Sequence, residues 1–129
     1  MGSNADGFRS SSRNARPIAM NIYEFFFAAL TATRAPTICS FPLVFKQTPT
    51  SLKIRIALTN DEFVDLFYNE ESGRTDFALI KNNLRIYGAD NAGGWHLHPF
   101  DDPNRHEPLE GPMSIIEFIQ TIELRYRQS

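Results

Sequence analysis

Residues 52–59, LKIRIALT, constrain the fold most strongly, because apolar and polar side chains alternate along them. Side-chain direction repeats every two residues in a β-strand, so this pattern predicts a strand with one buried and one open face. Lys53 and Arg55 belong to the open face. The buried face consists of Leu52, Ile54, Ile56 and Leu58.

Further short β-type runs accompany this strand: PLVFKQ, EFVDLFYN, DFALIK, LRIYG and WHLH. Gly73 marks a turn between two of them. Asn82 and Asn83 separate DFALIK from LRIYG, and asparagine tolerates the positive φ of a tight hairpin turn. The runs therefore predict a mostly antiparallel sheet of four to five strands.

Helical patterns lie at both ends of this β-rich region. Asn21 can cap a first helix, and Ser114 with Glu117 forms a capping box for a second. Both helices have an apolar stripe at helical spacing. The stripes are Ile22, Phe25, Phe26, Ala29 and Leu30 in the first, and Ile115, Ile116, Phe118, Ile119 and Ile122 in the second. The predicted fold class is α+β, with an N-terminal and a C-terminal helix packed on the sheet.

The first seventeen residues, MGSNADGFRSSSRNARP, contain almost no large apolar group. They are expected to form a disordered leader. Residues 18–129 are then expected to form a single α+β domain, and Met20 is an alternative initiator methionine. Asn21 and Glu24 interrupt the apolar run that follows, so no membrane span is expected. Cys39 is the only cysteine, which excludes an intrachain disulfide and favours a small buried side chain in a cytoplasmic protein.

The formal net charge is −2, from 13 basic and 15 acidic residues, so the chain as a whole does not attract nucleic acid. A local basic stripe across the open sheet face is one interpretation, and an ordinary solvated face is the other. The stripe would consist of Lys46, Lys53, Arg55, Arg74, Lys81 and Arg85.

Residues 93–108, GGWHLHPFDDPNRHEP, hold all three histidines and the only tryptophan. Histidine takes and gives protons near neutral pH, so His98 and His106 are candidates for an acid/base pair acting on RNA, with no cofactor required. His96 and Asp90 would orient this pair. The candidate substrate-binding residues are Arg85 and Arg105 for phosphate, Trp95 for base stacking, and Asn91.

Two other interpretations of this segment stay open. His96, His98 and His106 are candidate ligands of zinc or a similar metal, since His96 and His98 share a strand face. A carboxylate could replace His106 as the third ligand, from Asp101, Asp102 or Glu107. Alternatively, His96 and His98 are exposed strand residues without a chemical role, while Trp95, Leu97 and Phe100 pack inward.

The region from Gly73 to Ile122 resembles the TumE-like family. The resemblance lies in G-R-T-x-F-A-L-I, then R-I-Y-G-x-D-N-x-G-G-W-H-x-H-P-F, an acidic proline-rich loop with R-H-E-P, and an S-x-x-E-F-I helix. It extends over about residues 52–125. Asp90 and Asn91 match the family's Asp-Asn pair, and Arg85 matches a basic position on the preceding strand. The three histidines match the family's histidine-bearing segment. The N-terminal part of the chain departs from the pattern.

The resemblance implies a toxin component of a prokaryotic toxin–antitoxin pair, acting on RNA as a ribonuclease, with a cognate helix-turn-helix antitoxin encoded next to it. The alternative functions are a metal-binding module and a protein-interaction module without enzymatic activity. The phenylalanines of the first helix also predict a homodimer.

Overall fold

A computed structural model of the chain describes residues 20–128. The predicted disordered leader over residues 1–17 lies outside the described residues. Within residues 20–128, no helix is long and apolar enough to cross a membrane. In chain order, the elements of this region are α1 (Ile22–Ala32), β1 (Leu43–Gln47), β2 (Ser51–Ala57), β3 (Phe63–Asn69), β4 (Thr75–Lys81), β5 (Leu84–Asp90), β6 (His96–His98), β7 (Glu107–Pro108) and α2 (Ile115–Arg127).

The seven strands of the described region form one sheet in which every neighbouring pair is antiparallel and the spatial order follows the chain order. The predicted α+β class is therefore confirmed, but the predicted four to five strands were too few. β6 has three residues and β7 has two. β7 also lies in the proline-rich segment predicted as loop, where so short a strand leaves no periodic pattern.

Both helices cover one face of the sheet, and the core lies between them and the strands. The predicted alternation is confirmed, because Leu52, Ile54 and Ile56 of β2 are buried, and so is Leu58 directly after it. Phe25 of α1 and Phe118 of α2 are fully buried in this core. The capping boxes at Asn21 and Ser114 are present and fix where each helix begins.

The turn at Asn82 and Asn83 joins β4 and β5, and both residues have positive φ, 52° and 64°. This confirms the predicted hairpin. The register next to the turn pairs Ile80 with Arg85, but a bulge shifts it by one residue so that Leu79 pairs with Tyr87. Beyond the bulge, Asp76 of β4 lies directly opposite Asp90 of β5.

We call the side of the sheet opposite the helices the open face. Arg55 on this face binds Asp65 in a bidentate pair with distances of 2.8 and 3.0 Å. Its guanidinium also lies 4.0 Å from the ring centres of Phe45 and of Phe63. This member of the predicted basic stripe is therefore already neutralised by its neighbours.

Cys39 is half-buried beside Leu58, to which it forms an isolated β-bridge. Burial, and then the charge of Glu123, raises the pKa of its thiol to about 11. The thiol is therefore protonated at neutral pH and is a poor nucleophile, which agrees with the predicted packing role.

Gly88 allows β4, β5 and the Arg85 side chain to approach closely. A Cβ at position 88 would lie 2.9 Å from the carbonyl oxygen of Phe77 and 2.9 Å from Cδ of Arg85. Gly88→Ala is expected to lower the free energy of unfolding by about 1–3 kcal/mol, because backbone has to shift. Urea denaturation measures this, with Gly111→Ala as the control, since nothing lies within 4 Å of that Cβ. Equal stability of the two variants would contradict the close approach.

Candidate functional site

Asp90 and His98 form a buried polar pair on the open face. Asp90 ends β5, and His98 ends β6 opposite Gly88. The Nε2 atom of His98 lies 2.7 Å from Oδ2 of Asp90, and the two residues are only 2% and 8% exposed. The structure thus brings together Asp90 and His98, two of the residues predicted for the site, in direct contact.

The Asp90 carboxylate is held in its ionised form. Burial raises its pKa, but the hydrogen bonds from His98 and from the backbone N–H of Ala92 outweigh burial, with help from nearby positive charge, and the pKa lies below its ordinary value. An ionised carboxylate only accepts hydrogen bonds, so Nε2 of His98 carries the hydrogen. In the neutral ring, Nδ1 is then the atom with the free lone pair. Among the described residues, this buried Nδ1 has no hydrogen-bond partner.

His106 lies next to His98 because β6 and β7 form a short hairpin. Leu97 pairs with Glu107, and continuing this register sets His106 opposite His98 on the same face. The two rings meet edge to face with their centres 4.6 Å apart. His106 itself is exposed, so its ring covers His98 from the solvent side.

His96 is the third member of this cluster, with its ring centre 5.8 Å from that of His106. Leu97 between the two strand histidines packs against the core. The prediction that His96 and His98 share one strand face is therefore confirmed. The alternative in which both are exposed is wrong for His98, because the β6–β7 hairpin buries it.

Asp76 belongs to the same site and was missed from the sequence. It lies opposite Asp90, and its pKa is raised, first by burial and then by the charge of Asp90, although Arg74 and Arg85 oppose the shift. Two facing carboxyls with pKa values displaced in opposite directions are typical of acid/base sites. A simple two-residue hairpin would have paired Asp76 with Ala89, so only knowledge of the bulge would have predicted the pair.

A groove of about 430 Å³ begins beside Asp76 and crosses the open face toward β2. Arg74, Arg85 and Lys53 line it together with Phe67. Among the described residues, the Nε atom of Arg85 is buried without a hydrogen-bond partner. This residue, predicted to bind phosphate, therefore lies where the groove and the carboxyl pair meet.

The other predicted substrate-binding residues lie elsewhere. Trp95 is on the helix side of the sheet, with its ring centre 6.0 Å from that of Phe77, so the structure does not bring it together with the histidines. Asn91 accepts a hydrogen bond from the N–H of Thr75 and donates one to the Gly73 carbonyl, both at 2.8 Å. It therefore joins the ends of β4 and β5.

Arg105 lies on the exposed surface just before His106. Its guanidinium donates to Glu107 at 2.6 Å and lies 3.6 Å from Asp101. Surface ion pairs of this kind contribute little free energy, so the structure places Arg105 near His106 in sequence but paired with its own acidic neighbours.

The zinc interpretation is not favoured by this geometry. Among residues 20–128, no three His, Cys, Asp or Glu side chains are arranged to hold a metal ion. The Nε2 atom of His98 also faces Asp90 and is not directed toward His96 or His106.

Comparison of the chain with protein-family models, with curated proteins and with solved structures finds no match. The resemblance to TumE-like toxins therefore stays a prediction, and the function must be argued from the site.

The two facing carboxyls should affect stability in opposite directions. The pKa of Asp90 is depressed, so Asp90 contributes stability above its unfolded pKa of about 3.9 and loses it as the pH falls through the folded value. The pKa of Asp76 is raised, so its ionisation costs stability as the pH rises above about 3.9.

At neutral pH, Asp90→Asn is expected to lower the free energy of unfolding by about 1 kcal/mol, because a charge-assisted hydrogen bond becomes a neutral one. Asp76→Asn is expected to raise it.

Urea denaturation at neutral and acid pH measures both changes. Asp61→Asn is a matched control, since Asp61 is exposed and asparagine tolerates its φ of 65°. A shift of the same sign in the Asp76 and Asp90 variants would contradict the opposed roles.

Proposed function

We propose that this protein is a ribonuclease that uses His98 and His106 as an acid/base pair. The observation that carries the proposal is the buried Asp90–His98 hydrogen bond with the His106 ring directly against it. A carboxylate that fixes one ring nitrogen leaves the other in a defined tautomer, ready to take a proton. The exposed histidine beside it supplies a second proton-transfer group.

The reaction that suits two imidazoles is transesterification of an RNA phosphodiester. One imidazole removes the proton of the 2′-hydroxyl as its oxygen attacks phosphorus. The other imidazole gives a proton to the 5′-oxygen as the P–O bond breaks. The products are a 2′,3′-cyclic phosphate and a 5′-hydroxyl, and both proton transfers come from side chains of this chain.

The two histidines have different parts in this mechanism. His106 is exposed and meets the substrate first. Rotation of its side chain uncovers Nδ1 of His98, and Asp90 stabilises the imidazolium that forms when Nδ1 takes a proton. His96 lies at the edge of the cluster and helps to position His106.

The proposed biological role of the ribonuclease rests on the resemblance to TumE-like toxins. In that role the protein is a toxin whose neighbouring gene encodes a helix-turn-helix antitoxin. The identity of the adjacent reading frame, and growth inhibition on expression without it, test this part separately from the chemistry.

Cleavage of a synthetic single-stranded RNA tests the chemistry. His98→Gln and His106→Gln are each expected to reduce the cleavage rate about 10²- to 10⁴-fold, the usual contribution of a general acid or base. Asp90→Asn is expected to reduce it less, because an asparagine oxygen still accepts from Nε2. End-group analysis should find 2′,3′-cyclic phosphates.

Asp61→Asn, purified in parallel, is the control, since Asp61 is exposed in the turn between β2 and β3 and belongs neither to the histidine cluster nor to the groove. It should retain the activity of the unchanged protein, and the loss of activity in the His98 and His106 variants would exclude a contaminating nuclease as the source of the signal. Cleavage that persists in both the His98 and the His106 variants would refute the proposal.

A further inference from the structure

The groove on the open face has the side chains of a site for single-stranded nucleic acid. We propose that it binds the RNA strand next to the cleaved phosphodiester, with Arg85 on a phosphate and Phe67 under a base. This inference rests on the proposed function, because the groove meets the histidine site at Asp76. It adds the form of the substrate and the path that it takes.

Arg85 is the first observation behind this inference. Its Nε is buried, and among the described residues the side chain makes no hydrogen bond or salt bridge. Arg55 on the same face, in contrast, has its guanidinium satisfied by a bidentate bond to Asp65 and by two flanking aromatic rings. A buried guanidinium nitrogen without a partner costs stability, and a phosphate oxygen from a ligand would satisfy it.

Phe67 is the second observation. This half-buried ring of β3 lines the groove of about 430 Å³ and also a neighbouring groove of about 330 Å³ that continues to Lys46. The ring thus lies in the middle of a path, with Arg74 and Arg85 on one side, and Lys53 shared by both grooves. Asp76 and Asp65 also line the larger groove and pair with Arg74 at 3.3 Å and with Lys53 at 3.6 Å, so among the described residues Arg85 is the groove cation without a salt bridge. An aromatic ring beside a cation that can bind phosphate is the pattern that holds a backbone while a base stacks.

The path is suited to a single strand. β3 and β6 are separated by three strand spacings, or about 14 Å, so a chain bound at the histidines extends beyond one nucleotide before it meets Phe67. Stacking on Phe67 requires an unstacked base, which a duplex does not offer. We therefore expect double-stranded RNA to compete poorly.

Fluorescence anisotropy with a 2′-O-methyl oligonucleotide measures binding without cleavage. Arg85→Gln and Phe67→Ala are each expected to weaken binding about fivefold or more. Arg34→Gln is the charge-matched control, because Arg34 is exposed beyond the end of α1 and lines a different cavity. It should bind like the unchanged protein.

The outcomes separate this inference from the proposed function. Binding that is lost in the Arg85 and Phe67 variants but retained in His106→Gln supports the groove, even if no cleavage is found. Absence of binding by the unchanged protein would overturn the groove, and so would equal affinity of all variants. Duplex RNA that binds as tightly as the single strand would overturn the stacking role of Phe67.

A different observation carries a second inference, at the other edge of the sheet. β1 is exposed along its whole length, and it pairs with β2 alone within the described region. Large apolar side chains between 49% and 73% exposed surround it: Tyr23 and Phe27 of α1, Phe41, and Leu43, Val44 and Phe45 of β1. We infer that this surface, the β1 edge, joins two copies of the chain.

The size of the β1 edge suits a dimer. Aromatic side chains present about 150–250 Å² each, so these six residues expose on the order of 700 Å². A stable interface needs about 800 Å² per partner. Residues 1–19 offer only Phe8 and Ile18 as large apolar side chains beyond the initial Met, too few to cover it.

The two copies meet through side chains on the helix side of this edge. A register shift at Phe45 interrupts β1, with Val44 opposite Ile54 and Lys46 opposite Lys53. Val44 therefore faces the helices, where it lines one cavity with Tyr23 and Phe27, and contact through these side chains needs no pairing of the irregular strand edge.

Sedimentation equilibrium of the full chain tests the dimer. The unchanged protein is expected to be dimeric at tens of micromolar, and Phe27→Glu and Val44→Lys are expected to weaken association at least tenfold. Leu124→Glu is the control, since Leu124 is exposed on α2 away from the edge. A monomeric unchanged protein would overturn the inference, as would one that dimerises only after residues 1–19 are removed.

Discussion

The bulge in β5 is the constraint on which the rest of the site depends. In a regular strand, Arg85 on the open face would be followed by Ile86 inward and Tyr87 outward, which would turn Asp90 into the core. The one-residue register shift directs Ile86 and Tyr87 both toward the helices, so Gly88 and Asp90 face outward. β6 pairs with this part of β5, and the position of His98 follows from it.

Local patterns were enough to predict the framework. Asn21 and Ser114 mark helix starts by side-chain chemistry, Asn82 and Asn83 mark a turn by their tolerance of positive φ, and β2 shows its buried face by alternation. Each of these signals lies within a few residues. The sharing of one face by His96 and His98 has the same local origin.

The assembled site could be predicted only in part. Asp76 meets Asp90 through a register that the bulge changes, and His98 is buried by a hairpin whose second strand has only two residues. These facts depend on pairing between distant segments, and no periodicity in the chain encodes them. Trp95 shows that neighbours in sequence can also be separated, since it is adjacent to His96 in the chain but lies on the other side of the sheet.

Because β7 is so short, the two parts of the site differ in local stability. Asp90 belongs to a seven-residue strand in the middle of the ladder, whereas His106 precedes a two-residue strand at its edge. Edge segments with few backbone hydrogen bonds open locally, at a lower free energy than global unfolding. The carboxylate that fixes His98 is therefore as durable as the fold, while His106 can detach and return without disturbing it. In the proposed function, local fraying of a single hairpin would open the site to a strand of RNA.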